Sequence, residues 1–284
     1  MSHNRQSFFN SSNFFVDIDV SGHHFVPAGP GHCGILACSC LKTKRQIRRA
    51  WRVAELKRIA VIHSDFQEKF GIPRQSNLID SLKAEVIFEP GYRDPNEVVG
   101  LEGYSHLWLI WEFSENEAAG WSPMVYPPRL GGRTHVGVFA TRSPFRPNPI
   151  GLSSVKLDQI EMREGVGPVL HISGADLLDG TPILDIKPYI RYTDSHPEAV
   201  SGFADRVKDK ELKVVFPEEW LSVLPEGKQR PAVEILKQDP RPAYQNDPAR
   251  RYGVAFAGYD IRFHVDGDVL TVCEVVPYHR GCHA

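Results

Sequence analysis

The chain has 284 residues, 42% hydrophobic and 24% charged, with 23 Gly and 22 Pro, a composition that excludes fibrous and wholly disordered classes. Thirty-three Lys and Arg against 35 Asp and Glu leave a formal charge of −2, so no global positive field draws the chain onto nucleic acid and any such contact must be local. The odd count of five cysteines excludes a disulfide-built fold and suits a reducing compartment.

No apolar run approaches the ~20 residues of a membrane-spanning helix, and the polar start Met1-Ser2-His3-Asn4-Arg5 lacks the apolar stretch of a secretion signal. These features predict a soluble cytoplasmic protein without a membrane partner. Residues 1–54 alternate Asn, Ser, His and Gly with isolated Phe pairs, and read as a flexible N-terminal extension. Within it Gly29-Pro-Gly31-His-Cys-Gly34 matches the dinucleotide fingerprint letter for letter, but the prolines and the missing strand make it a decoy. Cys33, Cys38 and Cys40 beside His32 lack a second pair at finger spacing, so they read as stray thiols and no metal is expected. Arg45, Arg48, Arg49 and Arg52 share one face of a short basic helix, with Ile47, Ala50, Trp51 and Ala54 on another. That helix reads as a solvated appendage or as an arm following a phosphate backbone.

From Glu55 the pattern changes to short β-rich runs broken by Gly and Pro: 58–63, 84–88, the second half of 101–113, 134–141, 152–157, 169–175 and 183–192. With almost no long helical periodicity, residues 55–195 predict a β-barrel or sandwich. Residues 196–284 predict a small α+β C-terminal domain. It has a strand at 212–216, a short helix at 218–223, a helix over 231–237, and strands 253–265 and 269–276 flanking the hairpin signal Asp266-Gly267.

The densest motif is Gly137-Val-Phe-Ala-Thr-Arg-Ser-Pro-Phe-Arg-Pro-Asn-Pro-Ile-Gly-Leu152, in which Pro144, Pro147 and Pro149 stiffen a loop carrying Arg142, Arg146 and Asn148. Such a loop loses little entropy on binding, and its donors suit a carboxylate, a phosphate or an adenine edge. Asp179-Gly180 makes a tight turn before a strand, whose N–H groups and carboxylate could hold a ribose or an amino acid group; it reads equally as a plain hairpin turn. Pro73-Arg74-Gln75 sets two polar side chains after a proline, and His106 reads as a core or edge group. Gln238-Asp-Pro-Arg-Pro-Ala-Tyr-Gln245 combines rigidity, charge and an aromatic ring, features that stack and position a nucleotide or close a domain.

Taken in order, Pro73-Arg-Gln75, the 103–113 segment, Pro127-Pro-Arg-Leu-Gly-Gly132, the 137–151 loop, Asp179-Gly-Thr-Pro182 with Asp185-Ile-Lys-Pro-Tyr189, and Asp239-Pro-Arg-Pro-Ala-Tyr244 resemble the TsaA/TrmO family of S-adenosylmethionine-dependent tRNA adenine-N6 methyltransferases. The resemblance covers about residues 56–276. It implies a mainly β, non-Rossmann barrel methyltransferase that transfers a methyl group from S-adenosylmethionine to N6 of threonylcarbamoyladenosine beside the anticodon. Carried over by position, it implies a cofactor pocket of Pro73, Arg74, Gln75, Ser114, Glu115, Arg142, Leu152, Leu178, Asp179, Gly180 and Thr181. At Ser114-Glu115 family members often show His followed by a polar residue, which makes that pair a departure.

The resemblance further implies that Asp239-Pro-Arg-Pro-Ala-Tyr244 faces tRNA and that the enzyme is a homodimer. The expected roles are Arg142 orienting a carboxylate of cofactor or substrate, Arg74 and Gln75 holding the nucleoside, and Asp239 or Tyr244 placing or deprotonating the base. Arg146, Asn148 and Arg241 are expected on the substrate side. Arginines 129, 133, 142, 146 and 241 are candidates for a local tRNA-binding patch. Competing readings are a non-catalytic S-adenosylmethionine-binding module, a methyltransferase for another acceptor, and a purely structural RNA-binding barrel.

Overall fold

Where apolar and polar residues alternate from Ala60 onward, the chain forms strands that bury one row and expose the other. The computed structural model describes residues 55–130, 134–206, 211–242, 245 and 247–279; the fingerprint decoy, the cysteine cluster and the basic helix read from the first 54 residues lie outside them. In chain order come β1 (Ala60–His63), β2 (Lys83–Phe88), β3 (His106–Glu112), the short pair β4 (Met124–Val125) and β5 (Val136–Gly137), then β6 (Ile150–Arg163), β7 (Gly167–Ser173) and β8 (Pro182–Pro188). A second set follows: β9 (Lys213–Val215), β10 (Tyr252–Phe256), β11 (Tyr259–Asp266) and β12 (Val269–Pro277). The α-helices are α1 (Arg191–Asp194), α2 (Phe203–Arg206), α3 (Glu218–Leu221) and α4 (Glu226–Lys237).

Strands β1, β2, β7, β6, β3 and β8 close, in that order, into a barrel, and every neighbouring pair is antiparallel. Closure leaves no strand edge to recruit a foreign chain. The interior is filled by Ala60, Ile62, Val86, Leu107, Leu109, Val155, Leu170, Ile172 and Ile183, each large aliphatic contributing about 1.5–3 kcal/mol by leaving water. In β6 the inward row is Gly151, Ser153 and Val155. Gly151 pairs with Trp111, and a Cβ at Gly151 would lie 2.2 Å from the indole, so only glycine leaves the ring its place.

The second sheet has the order β10-β11-β12-β9, with β9 parallel to β12. Helix α4 covers it with Ala232, Ile235 and Leu236. Its core also recruits Phe66, Ile79 and Leu82 from the segment joining β1 to β2. Phe66 bridges Phe256, Ala257 N–H donates to the Asp65 carbonyl, and Lys228 pairs with Asp65.

Several sequence expectations shift. The strand expected over 134–141 contracts to β5, because its partner is only two residues long and Val138–Ala140 turn into a 3-10 helix closed by Thr141 Oγ1 on the Val138 carbonyl. The strand expected to reach Tyr192 stops at Pro188. Beyond it Asp194 accepts from Ile190 N–H and from the Trp108 indole, winding 191–194 into α1. β6 runs past Leu157 to Arg163, since a register shift between Leu157 and Gln159 displaces the apolar alternation by one residue. The expected 253–265 strand breaks into a hairpin at Ala257 and Gly258, both at positive φ (51 and 82). Helix α4 begins at Glu226 rather than Pro231, with Glu226 in its first turn and Pro231 inside it.

Candidate active site

Three segments meet where β6 begins and β7 ends. The first is Pro73–Asn77, in which Pro73 is buried and Gln75 half-buried. Asn77 takes positive φ (61), receives the Gly174 carbonyl on its N–H, and donates from its side-chain amide to the Ser154 carbonyl and to Ser154 Oγ (2.7 Å). The second is the proline-rich loop. Arg142, exposed, donates to Gln75 Oε1, while Arg146 turns inward and donates to the Thr141 and Ser143 carbonyls, bracing its own loop. Asn148 is exposed and its carbonyl accepts from Ile150 N–H. Leu152, on the outward row of β6, is 51% exposed.

The third segment leaves β7 through Gly174, Ala175 and Asp176. Trp111 Nε1 donates to Ser153 Oγ at 3.0 Å, and Ser153 Oγ donates to Asp176 Oδ1 at 2.6 Å. The backbone at Ser76 lies close enough to favour the ionised form of Asp176. Burial pushes the Asp176 carboxyl above the usual carboxylate range, against the pull of Ser153, its own backbone N–H, the Arg142 charge and Ser76. Sequence reading missed Asp176, Ser153 and Trp111. The available signal was the β3 alternation, which puts Trp111 on the same inward row as Leu107 and Leu109 and so calls for a polar partner to its N–H.

The Leu178–Thr181 turn is placed otherwise. Three of its N–H groups are spent within the fold, Asp179 on the Phe66 carbonyl, Gly180 on the Ile62 carbonyl and Thr181 on the Leu178 carbonyl, which also accepts from Thr181 Oγ1. The backbone cradle expected there is therefore committed. The Asp179 side chain accepts from Ser64 N–H (3.1 Å) and pairs with His63 Nδ1 (3.3 Å). Ser114 and Glu115 open the 3-10 turn after β3, and Lys69 donates to the Glu115 carbonyl (3.1 Å).

Asp239 and Arg241 form a closed clasp. Both carboxylate oxygens of Asp239 accept from the guanidinium, at 2.8 and 3.0 Å, and Arg241 is buried with its guanidinium 6.0 Å from the Tyr252 ring centre. Arg74 ties this clasp to the barrel by donating to the Asp239 carbonyl at 2.9 Å. The structure thus brings Arg74, Gln75 and Arg142 together with the Asp239 loop. Tyr244 and Arg133 lie outside the described residues, as does the Arg129 side chain.

A second concavity, of about 520 Å³, lies against β2, β6 and β7 and is lined by His63, Lys83, Glu85, Asp158, His171 and Lys228. Its charges are mutually paired. Arg163 grips Glu85 at 3.0 Å and Glu161 at 2.8 Å, and His171 reaches Glu161 at 2.8 Å; Arg163 and then His171 hold the Glu161 carboxyl down at about 2. Among the described residues no group of His, Cys, Asp or Glu is arranged to hold a metal, and no helix is long and apolar enough to cross a membrane.

A closed antiparallel barrel with its polar loops gathered at one end, joined to a small second sheet, defines the class. Residues 61–195 match the N-terminal domain and residues 209–278 the C-terminal domain of tRNA-methyltransferase O. The chain belongs to this family. It is 39% identical to the tRNA (adenine(37)-N6)-methyltransferase of Escherichia coli K12 over 231 residues, 78% of this chain and 98% of the relative. It is 40% identical over 226 residues, 76% of this chain and 95% of the relative, to a Pseudomonas aeruginosa protein provisionally named as an S-adenosylmethionine-dependent methyltransferase. The crystal structure of TrmO from Pseudomonas aeruginosa superposes with a TM-score of 0.63 at 35% identity, covering 79% of this chain and 100% of that one.

Proposed function

We propose that this chain methylates N6 of adenosine 37 in tRNA, with S-adenosylmethionine as methyl donor and N6-threonylcarbamoyladenosine as acceptor. The observation that carries the reading is the match over 98% of the E. coli enzyme's length, in a chain whose Arg142 meets Gln75 beside Arg74 at one end of the barrel. The residues present fit the donor. Exposed Arg142 offers a guanidinium for a carboxylate, Gln75 an amide for polar edges, and half-exposed Leu152 an apolar surface for a ring. When bound, S-adenosylmethionine supplies an electrophilic methyl group on a sulfonium.

A ureido-substituted N6 is a poor nucleophile because its lone pair is delocalised, so the protein's task is alignment and removal of one proton. Arg142, steadied by Gln75, orients. Asp239, with both oxygens engaged by Arg241, sets the shape of the tRNA-side loop in the free chain, and Tyr244 is assigned to the same loop. The Leu178–Thr181 turn contributes through the half-exposed Asp179 side chain rather than its N–H groups. Arg146 supports the loop that presents Asn148.

We assign the enzyme to the cytoplasm as a homodimer. Trp121 (58% exposed), Met124, Tyr126 and Phe139 (78%) gather large exposed apolar side chains in the β4–β5 insertion, a patch of the kind that marks an interface. Phe139→Asp is expected to shift the protein from dimer to monomer in multi-angle light scattering, and an unchanged mass removes this assignment.

The test of the activity is nucleoside mass spectrometry after incubation of the protein with S-adenosylmethionine and tRNA with or without the threonylcarbamoyl group. A methyl gained only on the modified nucleoside is the expected result. A methyl on unmodified adenosine overturns the acceptor, and none on either overturns the enzyme reading.

A further inference from the structure

Asp176 is a half-buried carboxylate beneath the loops just described. It follows Gly174, where positive φ (75) and Asn77 Oδ1, 2.8 Å from where a Cβ would sit, force a tight turn out of β7. Its neighbours Ala175 and Leu177 are 4% and 1% exposed and lie in the barrel core, so the acid is pinned from both sides. Removing a carboxylate from water costs several kcal/mol unless donors replace the lost hydration, and an apolar residue here would spare the fold that cost.

The polarity of its contacts shows what the site is built for. An indole N–H can only donate. Ser153 Oγ therefore accepts from Trp111 and must commit its own hydrogen to Asp176 Oδ1. The backbone at Ser76 likewise favours the ionised form, and the charged group acting on the carboxylate is Arg142. A hydroxyl donor, the backbone of a second segment and a cation from a third converge on one acid, an arrangement suited to the ionised form.

Resting on the methyltransferase reading, we propose that Asp176 is the positioning residue of the cofactor site. Its carboxylate pulls the Arg74–Gln75–Ser76 loop onto β6, and its charge holds Arg142 against Gln75, so that the guanidinium is preset for the donor's carboxylate. Asp176 acts through Arg142 and Ser76; contact with the transferred methyl is not part of this role.

The test is calorimetric binding of S-adenosylmethionine to full-length wild type, Asp176→Asn and Ser153→Ala, with Tm of each free protein and methyl transfer to tRNA measured in parallel. Asp176→Asn keeps the shape and removes the charge. Its Kd is expected to rise at least about tenfold while its Tm stays level or increases, because a half-buried charge has gone. Its KM for the donor should rise with kcat lowered less. As pH falls the wild-type affinity should weaken, as Asp176 gains its proton opposite Arg142 more readily than an ordinary carboxylate does, and the Asn variant should lack that acid limb.

Ser153→Ala, which keeps the charge and loses one donor, should weaken binding a few-fold, and it decides the matter where the Asn variant does not fold. Unchanged affinity in the variant that folds overturns the proposal. So does lost affinity accompanied by a lowered Tm, which marks a purely structural acid. If wild type itself neither binds nor transfers, the methyltransferase reading falls instead.

Discussion

Arg142 and Arg241 come from two loops that look alike as sequence, Thr-Arg-Ser-Pro and Asp-Pro-Arg-Pro, yet the fold gives them opposite tasks. Arg241 is buried with both of its carboxylate bonds made by Asp239 two residues before it. Arg142 has Ala140 at that spacing, and its guanidinium crosses to Gln75 in another segment and stays exposed. Proline stiffens both loops. The acid at i−2 decides whether the arginine closes its own loop or crosses to another segment and stays exposed.

The contrast breaks most sharply at Arg142. Arg142→Ala should lower methyl transfer about 100-fold, the scale of a misplaced reactant, with Tm within about 1 °C because the side chain is exposed; a loss below threefold in steady-state rate would end its role as orienting group. Arg241→Ala should do the reverse. Removing one member of a buried pair should cost about 3 kcal/mol, read as a shift of the denaturant midpoint, and activity should fall only as far as the Asp239 loop loosens.

Gly151→Ala sharpens the comparison from the packing side. Its methyl group would collide with Trp111, so stability should drop by about 1–3 kcal/mol, and the Trp111–Ser153–Asp176 relay should be displaced with it. The smallest effect is expected at Glu161. Its carboxyl is held at about 2 by Arg163 and His171, below the value it takes in the unfolded chain. The stability it adds is full above about pH 4.5 and is lost as pH falls toward 2. Glu161→Gln should flatten acid unfolding in that window and leave neutral-pH Tm nearly unchanged.

Much of the barrel and of the second sheet was legible because β1, β2, β3, β7 and the β11–β12 hairpin carry apolar strand patterns or a clear turn pair. What stayed hidden has local causes: a bulge at Leu157 that slips the period in β6, an alanine at positive φ beginning the 257–258 turn, and the parallel pairing of β9, itself expected as a strand, with β12 far along the chain. Among the site residues, the Arg142–Gln75 and Arg74–Asp239 links join segments named from sequence. Asp176 escaped because one acid between two apolar residues has no period. Its meaning comes from Ser153 and Trp111, more than 20 residues away, which only closure of the barrel brings near.

The recruitment of Phe66, Ile79 and Leu82 into the second core has a practical corollary for anyone dissecting the molecule. A fragment ending at residue 195 would carry three large apolar side chains stripped of their cover, together with the unpaired cation-seeking Asp65. Such a fragment should aggregate, and the intact chain from Leu56 onward should melt in one calorimetric transition, with ratio of van't Hoff to calorimetric enthalpy near unity. In this chain the second sheet therefore serves as the apolar cover of the segment that joins β1 to β2.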